Sequence, residues 1–154
     1  MAPSFDPPPS TGYLVWRLAV KWRGQLDREL APHGLTSAQY SVLASLHGMS
    51  SGGAQPSQRE LADYTGLEPM FVSKLARALE QAGLVTRGSN PADPRALRLE
   101  ITPEGIATVT AARAAVLQLE RQRLAVIGGP TGELGTLLSD TLRKLLREAD
   151  RDEE

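Results

Sequence analysis

Cysteine is absent from the 154 residues, which excludes disulfides, thiolate catalysis, cysteine redox sensing and a thiolate zinc site. Histidine is nearly absent. His33 and His47 are the only two, too few for a His-rich metal site, so no metal and no cofactor is expected. No apolar run approaches the roughly 20 residues that cross a membrane. Met1 to Ser10 is proline-rich and lacks the basic and then apolar pattern of a secretory signal. We read residues 1–10 as a flexible arm and the chain as cytoplasmic, with no membrane partner. Gly-rich phosphate loops, nucleophile motifs and metal-ligand spacings are also missing, so the chain is not read as an enzyme.

An excess of either charge is lacking as well. Lys and Arg number 17 against 18 Asp and Glu, so sequence-blind coating of nucleic acid is not expected. Any DNA contact must come from basic residues gathered on one face. An acidic tail over 150–154, with Glu148 before it, partly masks such a face in the total.

What is present reads as helices with one short hairpin, in a chain long enough for one domain with a real core. A first helix spans Thr11 to Leu30. Leu14, Leu18, Trp22, Leu26 and Leu30 recur at multiples of four, and Pro32-His33-Gly34 stops it. Thr36 to Gln39 forms a capping box for a second helix, with Leu35 placed to staple onto Tyr40. That helix is expected to end before a flexible loop, Ser50-Ser51-Gly52-Gly53. Ser57 to Glu60 is a second capping box, opening a short third helix that runs to Tyr64.

Thr65-Gly66-Leu67 makes a tight turn into a fourth helix. Pro69 stands in its first turn, where a missing N–H costs nothing, and Gly83 suits its left-handed end. Strands follow over Leu84–Arg87 and Leu97–Ile101, with a polar turn from Gly88 to Pro94 between them. Thr102-Pro103 caps a fifth helix reaching about Ile127, and Gly128-Gly129-Pro130 breaks the chain. The last helix carries an apolar stripe of Leu134, Leu137, Leu138, Leu142, Leu145 and Leu146.

A short helix, a turn with Gly66, a longer helix and a hairpin compose a winged helix-turn-helix. At about 100° per residue, Val72, Leu75, Ala76 and Leu79 fall on one side of the fourth helix. Met70, Ser73, Lys74 and Arg77 fall on the other, free to enter a major groove. Phe71, at the flank, fits either the core or the DNA face.

The quoted residues carry a resemblance. Leu61-Ala62 to Thr65-Gly66-Leu67, then Leu79-Glu80 to Gly83-Leu84-Val85, is similar to the recognition unit of the MarR family of transcriptional regulators. Asp93-Pro94-Arg95, followed by Leu99-Glu100-Ile101-Thr102-Pro103-Glu104-Gly105, resembles that family's wing, with Ile101 where a Leu is usual. The order of flanking helices also fits over Thr11 to Ala149. The resemblance implies a mainly α fold with a small β-hairpin: a winged helix-turn-helix over about 36–101, and dimerisation helices over about 11–34 and 103–149 within one domain, 11–149.

It further implies a homodimer that binds double-stranded DNA at a pseudo-palindromic operator. Arg95 would enter the minor groove from the wing, braced by a salt bridge to Asp93; the alternative is that the pair only stabilises a surface turn. Lys74 and Arg77 would meet phosphates or base edges, with Ser73 beside them. Pro69, Met70 and Phe71 would lie nearest the bases, where family members often have small polar residues. There Met70 and Phe71 suit thymine methyls. Ser57, Gln58, Arg59 and Arg87 are candidate phosphate contacts, the Ser57 cap being mainly structural.

The module is not basic in sum. From Gln55 to Ile101 the cations Arg59, Lys74, Arg77, Arg87, Arg95 and Arg98 meet Glu60, Asp63, Glu68, Glu80, Asp93 and Glu100. Affinity must depend on how these charges are segregated.

Tyr13, Trp16, Trp22, His33, Tyr40 and His47 lie in or near the first two helices. In the family, effectors bind between the dimer helices and the DNA module. Tyr13, Trp16, His33 and Tyr40 are therefore candidates for a small aromatic or phenolic effector that releases a repressor. The same aromatics also suit a core. A constitutive winged-helix binder without effector stays open, as does a winged helix used for protein contacts, against which Arg95 speaks.

Overall fold

The computed structural model describes residues 8–152, so most of the expected arm and the last two residues of the acidic tail lie outside the described residues. The elements are α1 (Thr11–Leu30), α2 (Ser37–Ser51), α3 (Gln58–Thr65), α4 (Pro69–Gln81), β1 (Val85–Asn90), β2 (Asp93–Ile101), α5 (Pro103–Leu124) and α6 (Glu133–Asp152). Single 3-10 turns follow α1 and α5. The chain divides into two compact units, the first reaching Arg113 and the second beginning at Ala114.

In the first unit α2 is the hub and packs against α1, α3, α4 and β2. Both capping boxes form. Thr36 and Gln39 bond reciprocally, and so do Ser57 and Glu60. Asp27 Oδ1 also accepts from the Ser37 N–H at 2.7 Å, fastening α1 to the start of α2. The core holds Leu30, Val42, Leu43, Leu46, Leu61, Val72, Leu79, Val85 and Leu99, all fully buried. Each such side chain contributes roughly 1.5–3 kcal/mol through removal from water. The apolar side of α4 read from the sequence is this core face: Val72, Leu75, Ala76 and Leu79 are all buried.

The turn before α4 and the end of α4 both need positive φ. Gly66 has φ 66° and Gly83 has φ 75°, values at which a Cβ would be strained. After Gly83 the chain closes a Schellman motif. The Gly83 N–H donates to Glu80 C=O and the Leu84 N–H to Leu79 C=O, each at 2.9 Å. Thr102 then ties the start of α5 to this end, its hydroxyl donating to Gly83 C=O at 2.7 Å.

Three boundaries differ from the sequence reading. α2 continues through Ser50-Ser51, because the Ser51 hydroxyl donates to His47 C=O at 2.8 Å and satisfies a terminal carbonyl. α5 ends at Leu124, and Ala125–Ile127 tighten into a 3-10 turn. The hairpin is also longer than expected: Gly88–Asn90 and Asp93–Ala96 belong to the strands, leaving only Pro91-Ala92 as the tip. Asn90 Oδ1 accepts from the Ala92 N–H at 2.9 Å, so an Asx turn does what a long polar loop would otherwise do.

The second unit contains the rest of α5 and α6, joined through Gly128 and Gly129, both at positive φ. Leu119 and Leu124 are buried within it. α6 continues through Asp152, so the first part of the acidic tail is helical. Leu134, Leu137, Leu142, Leu145 and Leu146 are exposed. In the first unit, Leu14, Val15, Trp16 and Leu18 of α1 are exposed too.

Candidate nucleic-acid interface

α4 presents an outer face opposite its buried one. Met70 is 81% exposed and Phe71 41%, and they line a shallow groove with Lys74, Arg77, Ala78 and Gln81. Phe71 therefore belongs to the outer face rather than the core. Pro69 is exposed at the helix start. Ser73 is half-buried and engaged: Arg77 lies back along the helix, with Nε donating to Ser73 C=O at 3.4 Å and a terminal nitrogen donating to Ser73 Oγ at 3.5 Å.

The wing differs from the expectation in one chemical respect. Asp93 does not form a salt bridge with the Arg95 guanidinium. Its Oδ1 accepts from the Arg95 backbone N–H at 3.0 Å. The short carboxylate fits the turn of the backbone better than it reaches the end of a long side chain two residues on. The ladder pairs Ser89 with Leu97 and Asn90 with Asp93, so Pro94, Arg95 and Ala96 bulge from β2. Proline needs such a place, because it has no N–H for the ladder. The bulge leaves Arg95 exposed.

Arg87 is half-buried, and its Nε donates to Glu80 Oε2 at 2.8 Å. Ser57 is taken up by its cap, the Glu60 N–H donating to Ser57 Oγ at 3.2 Å. Gln58 is half-buried with an unpartnered buried Oε1, beside the Ser57–Arg98 bridge that joins the helix-turn-helix to the wing. Arg59 is exposed.

Glu60, Glu68, Glu80 and Asp93 each accept a local hydrogen bond, from Ser57 N–H, Met70 N–H, Arg87 and Arg95 N–H. Lys74, Arg77 and Arg95 have no carboxylate partner among the described residues. The Ser57 backbone N–H, then its hydroxyl, holds the Glu60 carboxyl below its ordinary value.

The expected effector residues do not come together. A cavity of about 780 Å³ is lined by Tyr40, His47, Met49, Tyr64, Val109 and Arg113, among others. Of the four candidates it contains Tyr40 alone; Tyr13, Trp16 and His33 do not line it. Tyr13 and Trp16 instead stack on each other at 6.1 Å on the exposed face of α1, three residues apart on one helix. Burial pushes the Tyr40 phenol up, with the Arg113 charge pulling the other way. Tyr64, read from the sequence only as the end of a helix, and Arg113 were not expected at a site. The available signal was the spacing of Val109 and Arg113, four apart on one face of α5.

A two-helix unit with a tight turn, an outward recognition face and a paired-strand wing define a winged helix-turn-helix protein. The chain belongs to the MarR family of transcriptional regulators. The MarR family model matches residues 33–96. YdcH, an uncharacterized HTH-type transcriptional regulator of Bacillus subtilis, is 33% identical over 115 residues, covering 75% of this chain and 78% of that one. An HTH-type transcriptional repressor of Mycobacterium tuberculosis is 30% identical over 119 residues, 77% of this chain and 83% of its own. CouR of Rhodococcus jostii, solved with p-coumaroyl-CoA bound, superposes with TM-score 0.73 at 27% identity, over 90% of each chain. Among the described residues no helix is long and apolar enough to cross a membrane.

Proposed function

We propose that this regulator is a cytoplasmic, non-enzymatic repressor that binds double-stranded DNA as a homodimer and is released by a small aromatic or phenolic effector. The observation that carries the DNA reading is the exposure of Lys74 and Arg77 on the outer face of α4 and of Arg95 on the wing bulge, none with a carboxylate partner among the described residues. α4 would lie in the major groove with Lys74 and Arg77 at base edges or phosphates. Arg95 would enter the adjoining minor groove, where a guanidinium suits a narrow channel of negative potential. Ser57, Gln58, Arg59 and Arg87 would meet the backbone between them.

The exposed leucines of α6 and the exposed apolar side chains of α1 support the dimer. Exposed apolar helix faces of this kind mark interaction surfaces. A two-fold dimer requires a pseudo-palindromic operator, its half-sites about 10 bp apart.

The cavity at Tyr40, His47, Tyr64 and Arg113 supports the effector. Its aromatic walls suit a ring, and Arg113 suits an acid group. The mycobacterial relative is a repressor and CouR holds a p-coumaroyl thioester, which agrees with both parts. Selection of bound duplexes from a random pool, at stated salt, tests the reading. A palindromic consensus from which aromatic acids displace the protein supports it; an asymmetric single site contradicts it.

A further inference from the structure

We propose that the amino-terminal tip of α4 reads the 5-methyl group of a pyrimidine in the major groove, through Met70 and Phe71. The inference rests on the DNA-binding reading and deepens it. At this tip most backbone and small polar groups are already engaged in local contacts. Pro69 has no N–H, and the Met70 N–H donates to Glu68 Oε2 at 3.2 Å. Arg77 folds back on Ser73, donating to its carbonyl at 3.4 Å and to its Oγ at 3.5 Å. Beside the exposed Glu68 carboxylate, what remains outward is apolar: Met70 at 81% exposure and Phe71 at 41%. They share a groove with Lys74 and Arg77, whose charges match a phosphate-lined duplex, so the occupant is DNA. In a major groove the apolar feature of a base edge is the C5 methyl, carried by thymine and equally by 5-methylcytosine. The tip therefore discriminates thymine from uracil, and 5-methylcytosine from cytosine.

The test uses the full chain and the duplex recovered by selection. Each thymine in turn is replaced by deoxyuridine, which removes the methyl and leaves base pairing intact. Binding of the parent should weaken about four-fold for each contacted methyl lost, the factor expected for one buried methyl. Replacing that T·A pair by C·G should weaken binding, and 5-methylcytosine in its place should recover about the same four-fold over cytosine. Met70→Ala with Phe71→Ala, both at exposed positions, should bind the thymine and deoxyuridine duplexes alike. If the parent binds every deoxyuridine duplex as tightly as the thymine duplex, the methyl inference is overturned and the DNA reading stands. If selection recovers no duplex at all, both fall.

Discussion

Arg87 Nε lies 2.8 Å from Glu80 Oε2, so the first strand of the wing is tied to the last turn of α4. The pair is partly exposed, and such pairs contribute about 1 kcal/mol or less. Its use is positional. Glu80 takes Nε, and in the proposed DNA reading the two terminal nitrogens of Arg87 would meet a phosphate. Glu80→Gln should therefore cost under about 1 kcal/mol of stability in urea unfolding. Arg87→Ala should lower the salt dependence of DNA binding by about one unit of slope, while Glu80→Gln leaves the slope unchanged. Equal slopes for Arg87→Ala and the parent would remove Arg87 from the interface.

The bond from Asp93 to the Arg95 backbone separates two accounts of the wing. A salt bridge needs a charge at position 93, whereas the observed bond needs only an acceptor oxygen. Asp93→Asn should bind DNA nearly as the parent does, since its Oδ1 can accept the same N–H. Asp93→Ala should weaken binding by loosening the bulge. Anisotropy titration of both variants decides it: loss of binding by Asp93→Asn equal to that of Asp93→Ala would restore the salt bridge.

The sequence made the helices legible because their ends are chemical. Thr36, Ser57, Pro69 and Gly83 each act locally, and a local signal needs no fold to be read. The buried face of α4 was legible for the same reason, as periodicity on one helix. The wing was legible as a hairpin but not in its full length, because proline and glycine in Gly88–Pro94 look like a loop. Only pairing with the opposite strand makes them a bulged hairpin. The lining of the cavity was the least legible. Tyr13 and Trp16, on one helix, do not line it, while Tyr40, Tyr64 and Arg113 meet there from three helices. Such a meeting is set by tertiary contacts, which composition along one helix does not encode.

Acid should weaken the fold through two caps. Glu60 is held below its ordinary value of 4.5 by the Ser57 N–H and then its hydroxyl, and Asp27 below 3.8 by the Ser37 N–H and then its hydroxyl. A carboxyl that is more acidic when folded binds fewer protons than in the unfolded chain, so stability rises with pH there. The contribution is complete above those ordinary values and is lost as pH falls through the lower folded ones. Asp27→Asn and Glu60→Gln should each flatten the acid limb of a urea-denaturation series. Unchanged pH dependence in both would show that the caps do not act as ionised acceptors. Ser57→Ala should cost about 1 kcal/mol at neutral pH.

The dimer is tested on α6. Leu137 and Leu145 are 60% and 56% exposed in the single chain, and an interface covering them should bury at least about 2,000 Å². Sedimentation at low micromolar concentration should give twice 16.6 kDa. Changing both residues to Asp should abolish the dimer and, where the interface also serves as core, lower the melting temperature with it. A parent chain that sediments as a folded monomer would contradict the assembly.

If α4 and the wing together read duplex DNA, fluorescence anisotropy of Arg95→Ala on the selected operator with varied flanks measures it most directly. Arg95 is exposed on its bulge, so the variant should fold and dimerise as the parent does. It should bind about 1–3 kcal/mol more weakly. The loss should be largest where the flanks are A·T-rich and the minor groove is narrow. Arg95→Lys should recover only part, since an ammonium is more strongly hydrated and lacks the planar fork. A folded Arg95→Ala that binds every flank as tightly as the parent would contradict the account.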